Sequence, residues 1–188
     1  MANDQKLLDC ALALFSERGY DAVGVNDIVQ CADVTKPTLY HYFNSKRGLL
    51  DALIQREAGP LLGKLLRATF YHRDLVMTLE NIIRALFEIA IEHACFYRLQ
   101  LGMHFSPPES EANQVIQPFA MQQREMIESV FLQAVADHGN IRGRQTQYAE
   151  SFLGVANALI GLYLNQEIVL DEVLVYQTVH QFMYGIFS

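Results

Sequence analysis

Very little in this chain could assemble a metal site, a disulfide framework or a catalytic centre. The three cysteines, Cys10, Cys31 and Cys95, are scattered without CxxC spacing, which excludes a thiolate zinc motif and the paired cysteines of small secreted domains. Small apolar packing is the expected role of Cys10 and Cys31. The histidines, His41, His72, His93, His104, His138 and His180, are dispersed, and no Ser-His-Asp ordering or glycine-rich phosphate loop accompanies them. No metal, no cofactor and no catalysis are therefore expected. Only five prolines interrupt 188 residues that are 51% hydrophobic, which excludes a disordered chain. Long apolar runs are also missing: Ser151–Gln166, 16 uncharged residues, includes Asn157 and Asn165, whereas a spanning helix needs roughly 20 apolar residues. The start, Met1–Leu7, carries Asp4 and Lys6 instead of a basic and then apolar leader. No membrane partner is expected, and the expected location is cytoplasmic.

Leu, Ala, Ile, Gln and Glu recur at helical spacing throughout, so an all-α fold is expected. Its organisation is an N-terminal three-helix helix-turn-helix head over residues 1–58, with the motif at about 24–43, and a helical body over 59–188. The net charge of −7 is unevenly spread: residues 1–50 hold five bases against six acids, and Thr35–Leu50 holds Lys36, His41, Lys46 and Arg47 with no acid. A polyanion within a Debye length of about 8 Å responds to such a local cationic face more than to the total charge.

Leu8, Ala11, Leu12 and Phe15 lie at i, i+3, i+4 and i+7, the apolar stripe of a first helix that Gly19 ends. A short second helix follows Gly24, with Ile28 and Val29 facing inward, and ends around Ala32–Val34. Thr35 is suited to an N-cap and Pro37 to the first helical turn, so a third helix is expected over Lys36–Phe43. Ser45 caps a fourth. Two short helices joined by a tight turn form the unit whose second helix enters a DNA major groove. On the third helix Lys36, Pro37, Tyr40 and His41 share one face, while Leu39 and Phe43 point the other way.

The ordered set Ala11–Phe15, Gly19-Tyr20, Asp27-Ile28, Val34–Phe43 and Ser45-Lys46 with Leu49-Leu50 resembles the DNA-binding head of the TetR family. The resemblance implies a homodimeric repressor that leaves a palindromic operator on double-stranded DNA when a small molecule enters its body. Carried over by position, Thr35, Thr38, Tyr42 and Lys46 would contact phosphates, with Lys36, Pro37, Tyr40 and His41 near base edges. Asn26 would also reach a base. Two positions depart from the family pattern: Gly24 stands where a hydroxyl residue is usual, and Asp33 replaces the turn glycine. A competing reading is a helical interaction protein with a degenerate head.

In the body, Gly59-Pro60 is expected to kink or break the fourth helix, a candidate hinge. Leu79, Ile82, Ile83, Leu86, Phe87, Ala90 and Ile91 mark a buried helix. Shorter helices follow around Cys95–Phe105 and Gln114–Asp137, with Glu109–Asn113 read as a loop. The last two helices are apolar all round, so a partner chain is expected to cover Gly154, Ala158 and Gly161 on one and Val175, Val179, Phe182 and Ile186 on the other. A hydrophobic or neutral effector of unknown identity would be lined by some of Phe87, Phe96, Tyr97, Met103, His104, Phe119, Met126, Tyr148 and Phe152.

Overall fold

The computed structural model describes residues 3–185. Among them there are nine α-helices, one 3-10 turn and no strand, as the periodicity predicts. The helices are α1 (Asn3–Arg18), α2 (Val25–Cys31), α3 (Lys36–Phe43), α4 (Lys46–Ala68), α5 (Leu75–Glu92), α6 (Ala94–His104), α7 (Glu111–Ala134), α8 (Gln145–Leu164) and α9 (Glu172–Tyr184). Packing divides the chain into two compact units. One comprises the residues up to Gly59 with Cys95–Ala120, and the other comprises Pro60–Ala94 with the residues from Met121 on. Cys95–Ala120, part of the expected body, thus packs with the head residues.

In the first unit α1 is the scaffold, packed against both α2 and α3. Leu7, Leu8, Ala11, Leu14 and Phe15 are its buried face. Leu12, expected inside, is only half-buried, because the face that meets α2 and α3 is centred on Ala11 and Leu14. Gly19 closes α1 at φ +81°, a left-handed turn that side chains disfavour. Arg56 of α4 reaches back to Asp9 of α1 at 2.7 Å.

The loop expected at Glu109–Asn113 is in fact the start of α7. Ser110 Oγ accepts the Asn113 amide at 3.2 Å, an N-cap placed directly before Glu111. The buried Asn113 amide group then donates to the carbonyls of His104 at 3.0 Å and Ser106 at 3.2 Å, tying off the end of α6.

In the second unit α5 is nearly enclosed, with Leu79, Ile82, Ile83, Leu86 and Phe87 buried, and it packs against α8 and α9. Asp74 caps it by accepting the Met77 amide at 2.9 Å. Ile91, expected in the same stripe, is exposed; it precedes the last residue of the helix. Arg84 holds Glu172 of α9 by two hydrogen bonds of 2.8 Å. Phe131, Tyr148, Phe152 and Phe182 form an aromatic cluster with ring centroids 5.0–6.4 Å apart. Pro60 does not end α4: the helix continues through it to Ala68, and the division between the packing units falls at the Gly59–Pro60 peptide.

Candidate nucleic-acid interface

The second and third helices are set by their ends. Gly24 donates its amide to Asp27 Oδ2 at 2.7 Å, so the carboxylate closes the first turn of α2 from inside the helix, while no side chain at the cap accepts a helix amide. Ile28 and Val29 anchor α2. The turn that follows places Asp33 at φ 52°, in the left-handed region that Asp tolerates better than most residues. Thr35 is the N-cap residue of α3 by its backbone but makes no side-chain cap bond; its hydroxyl pairs with that of Thr38 at 2.9 Å instead.

Leu39, with no exposed surface, fixes one face of α3 in the core. The opposite face stands free: Lys36, Pro37 and His41 are exposed, and Tyr40 and Tyr42 each show 45% of their surface. His41 packs edge-on to Tyr42, centroids 5.2 Å apart, so the rings support one another without being covered. Asn26 is also exposed, Thr38 is partly covered, and Phe43 is only half-buried. At the α3–α4 turn, Ser45 Oγ accepts the Gly48 amide at 2.9 Å.

Lys46 is held differently from its neighbours. Its ammonium lies over the Tyr20 ring, 4.0 Å from the centroid, and 5.9 Å from that of Phe15. Partial burial lowers the affinity of the amine for its proton, while the nearby charges of Asp21 and then Glu111 act the other way. Tyr20, itself buried, donates its hydroxyl to Glu111 Oε2 at 2.6 Å; burial first and this carboxylate second hold its pKa well above the ordinary phenol range. Arg47, next to Lys46, donates to Gln114 Oε1 at 3.3 Å. The pattern of the head singled out Lys46 but not Glu111 or Gln114, which sequence separates from it by more than sixty residues; the Ser110 cap was the one local sign of a helix presenting both.

Residues 7–53 match the family described as bacterial regulatory proteins, tetR family. Those residues form a head of the TetR type. The chain is 35% identical over 83 residues to the HTH-type transcriptional repressor KstR2 of Rhodococcus jostii, a match covering 44% of this chain and 41% of that protein. It is 34% identical over 94 residues to the HTH-type transcriptional activator FasR of Mycolicibacterium smegmatis, covering 50% of this chain and 43% of the other. The matches thus span less than half the length of these curated relatives. The TetR fold extends over nearly the whole chain. FadR of Bacillus subtilis, solved in complex with stearoyl-CoA, superposes with a TM-score of 0.79 at 18% identity, covering 97% of this chain and 98% of that one. A TetR-family regulator from Bordetella parapertussis does so at 0.78 and 21%, covering 98% and 95%.

The residues expected around an effector are not gathered in any described cavity of this TetR-type chain. Phe96, Tyr97, Met103 and Phe119 belong to the first unit and are buried; Phe96 and Phe119 pack edge to face at 5.6 Å. Phe87 and Phe152 belong to the core of the second. His104 is exposed, and Met126 and Tyr148 are half-buried. Met103 lines a cleft of about 510 Å³ bounded by Phe15–Ala22 and by Arg98, Gly102 and Ser106. Tyr148 lines a cavity of about 140 Å³ with Leu75, Phe131, His138, Ile141 and Phe182.

The expected partner face needs a similar correction. Gly154 and Ala158 are exposed and Gly161 is half-exposed, beside exposed Val155 and Leu162. Val175 and Val179, however, are buried by this chain's own α5 and α8, and Phe182 is drawn into the aromatic cluster. The outward apolar residues of α9 are Val173, Tyr176 and Tyr184. Ile186 lies outside the described residues. No helix among the described residues is long and apolar enough to cross a membrane.

Proposed function

We propose that the chain is a sequence-specific DNA-binding transcription regulator, a repressor released from its operator by a small hydrophobic or neutral effector, and that it works as a homodimer. One observation carries the reading: α3 is pinned by Leu39 on one side and presents Lys36, Pro37, Tyr40 and His41 uncovered on the other. A buried anchor opposite an uncovered, acid-free face is what a helix entering a major groove requires. Lys36, Pro37, Tyr40 and His41 are assigned to base edges, with Asn26 as a further base contact. Thr35, Thr38, Tyr42 and Lys46 are assigned to phosphates. Pairing through the exposed small-residue face of α8, at Gly154, Ala158 and Gly161, would present two heads to a palindromic duplex. The stearoyl-CoA bound by Bacillus subtilis FadR makes a long-chain acyl thioester the first ligand class to assay, alongside neutral apolar compounds.

Gel retardation on the DNA upstream of the protein's own gene, over a range of salt concentrations, tests the reading. Alanine at Lys36, Tyr40 or His41 is expected to remove sequence preference, each base contact contributing about 1–3 kcal/mol of discrimination. A folded wild-type chain that retards no duplex, specific or random, refutes the regulator reading and leaves a helical interaction protein.

A further inference from the structure

The start of α7 bonds Arg47 directly and meets Lys46 through Tyr20. Glu111 takes the hydroxyl of Tyr20 at 2.6 Å, and Lys46 lies over the ring of that same tyrosine. Gln114, one turn further along the same helix, takes Arg47 at 3.3 Å. Thus Lys46, unlike exposed Lys36 of α3, is half-buried and lies within the field of two carboxylates, Asp21 and Glu111. Asp21 belongs to the head itself. Glu111 is brought to the head from ninety residues away, so its charge is the one that a change in α6 or α7 could move.

From this geometry we infer that Glu111 is an acidic brake on DNA binding, holding the Lys46 ammonium against Tyr20 in competition with a DNA phosphate. The inference rests on the DNA-binding reading above and specifies how that site is regulated. Physically, a phosphate must draw Lys46 off an aromatic face and away from a carboxylate. Each of these holds the cation only modestly at a half-exposed site, so the brake is weak enough to be released. Glu111 acts through Tyr20 and Lys46, making it a positioning residue that never touches the duplex.

The variant Glu111→Gln isolates the charge, since the glutamine carbonyl still accepts the Tyr20 hydroxyl. Fluorescence anisotropy of a labelled duplex from the upstream region, titrated at several KCl concentrations, should show binding tightened about two- to fivefold at low salt. The slope of log K against log salt should steepen by up to about 0.9, the release expected for one added phosphate contact. In a Lys46→Gln background the gain from Glu111→Gln should vanish, because the cation it frees is absent. Tyr20→Phe, which keeps the ring and removes the anchor of Glu111, should also tighten binding, by less. An unchanged affinity and slope in Glu111→Gln overturns the brake. So does a gain that persists without Lys46, which would mark a general effect of net charge, or weaker binding in Tyr20→Phe. Wild-type protein that binds no duplex instead overturns the regulator reading, and the brake with it.

Discussion

Cys31 and Cys95 are exposed while Cys10 is only partly so, which corrects the expectation that Cys10 and Cys31 are both simple core packing. Burial, then the neighbouring Cys31 thiol and Asp9, hold the Cys10 thiol up to about 12. Near pH 8 iodoacetamide should therefore modify Cys31 and Cys95 well before Cys10, because the thiolate is the attacking species. Peptide mapping by mass spectrometry after timed quenching reads the order, and rising pH should narrow the difference. At this scale the sequence was most legible where a side chain has one neighbourhood. Leu39 and Tyr40 follow directly from helical spacing, one enclosed and the next 45% exposed. Lys46 did not: its position marked it as a phosphate contact, yet its partner below is Tyr20 and its acidic neighbours are Asp21 and Glu111. A cation's resting place is chosen by whatever the fold brings beside it.

Among the elements, the junction of α3 and α4 is the least tolerant. Asn44 turns at φ 63°, and a Cβ added at Gly48 would sit 2.0 Å from the Phe43 carbonyl oxygen, a backbone atom that cannot step aside. Gly48→Ala should destabilise the head by about 1–3 kcal/mol, in the range of overpacked sites. Circular dichroism melts should show a lowered midpoint, and duplex binding should weaken because the same turn sets the pitch of α3; an unchanged melt would mean the junction yields. The helix starts were legible where the cap was read in the sequence, as at Ser45, which accepts the Gly48 amide. The start of α7 was missed because Glu109–Asn113 read as a loop, although Ser110 supplies an ordinary cap. At Pro60 the break, the stronger of the two expected outcomes, does not occur. A proline removes one amide and crowds the preceding turn, but α4 carries on for another eight residues.

For the whole molecule, the proposed homodimer would pair through the outward face of α8. Gly154, Val155, Ala158 and Leu162 are exposed, small or apolar, and share one side of the helix. Ala158→Glu should leave the chain folded, as an exposed helical position tolerates a good helix former. It should also turn a dimer into a monomer in sedimentation velocity and weaken operator binding by an order of magnitude or more, since two half-sites can no longer be held at once. A variant that still sediments as a dimer would place the interface elsewhere. The sequence by itself determined the all-α class, the order of the first four helices and which side of α3 stays wet. Each of these depends on local spacing, caps and turn residues. Only the tertiary structure decided that Val175 and Val179 are covered by the chain's own α5 and α8, that Cys95–Ala120 packs with the head, and that Glu111 bonds the tyrosine under Lys46. An apolar stripe records that something must cover it, and a charge that something must balance it. Which neighbour does so depends on contacts between residues far apart in the chain, and no local pattern encodes that choice.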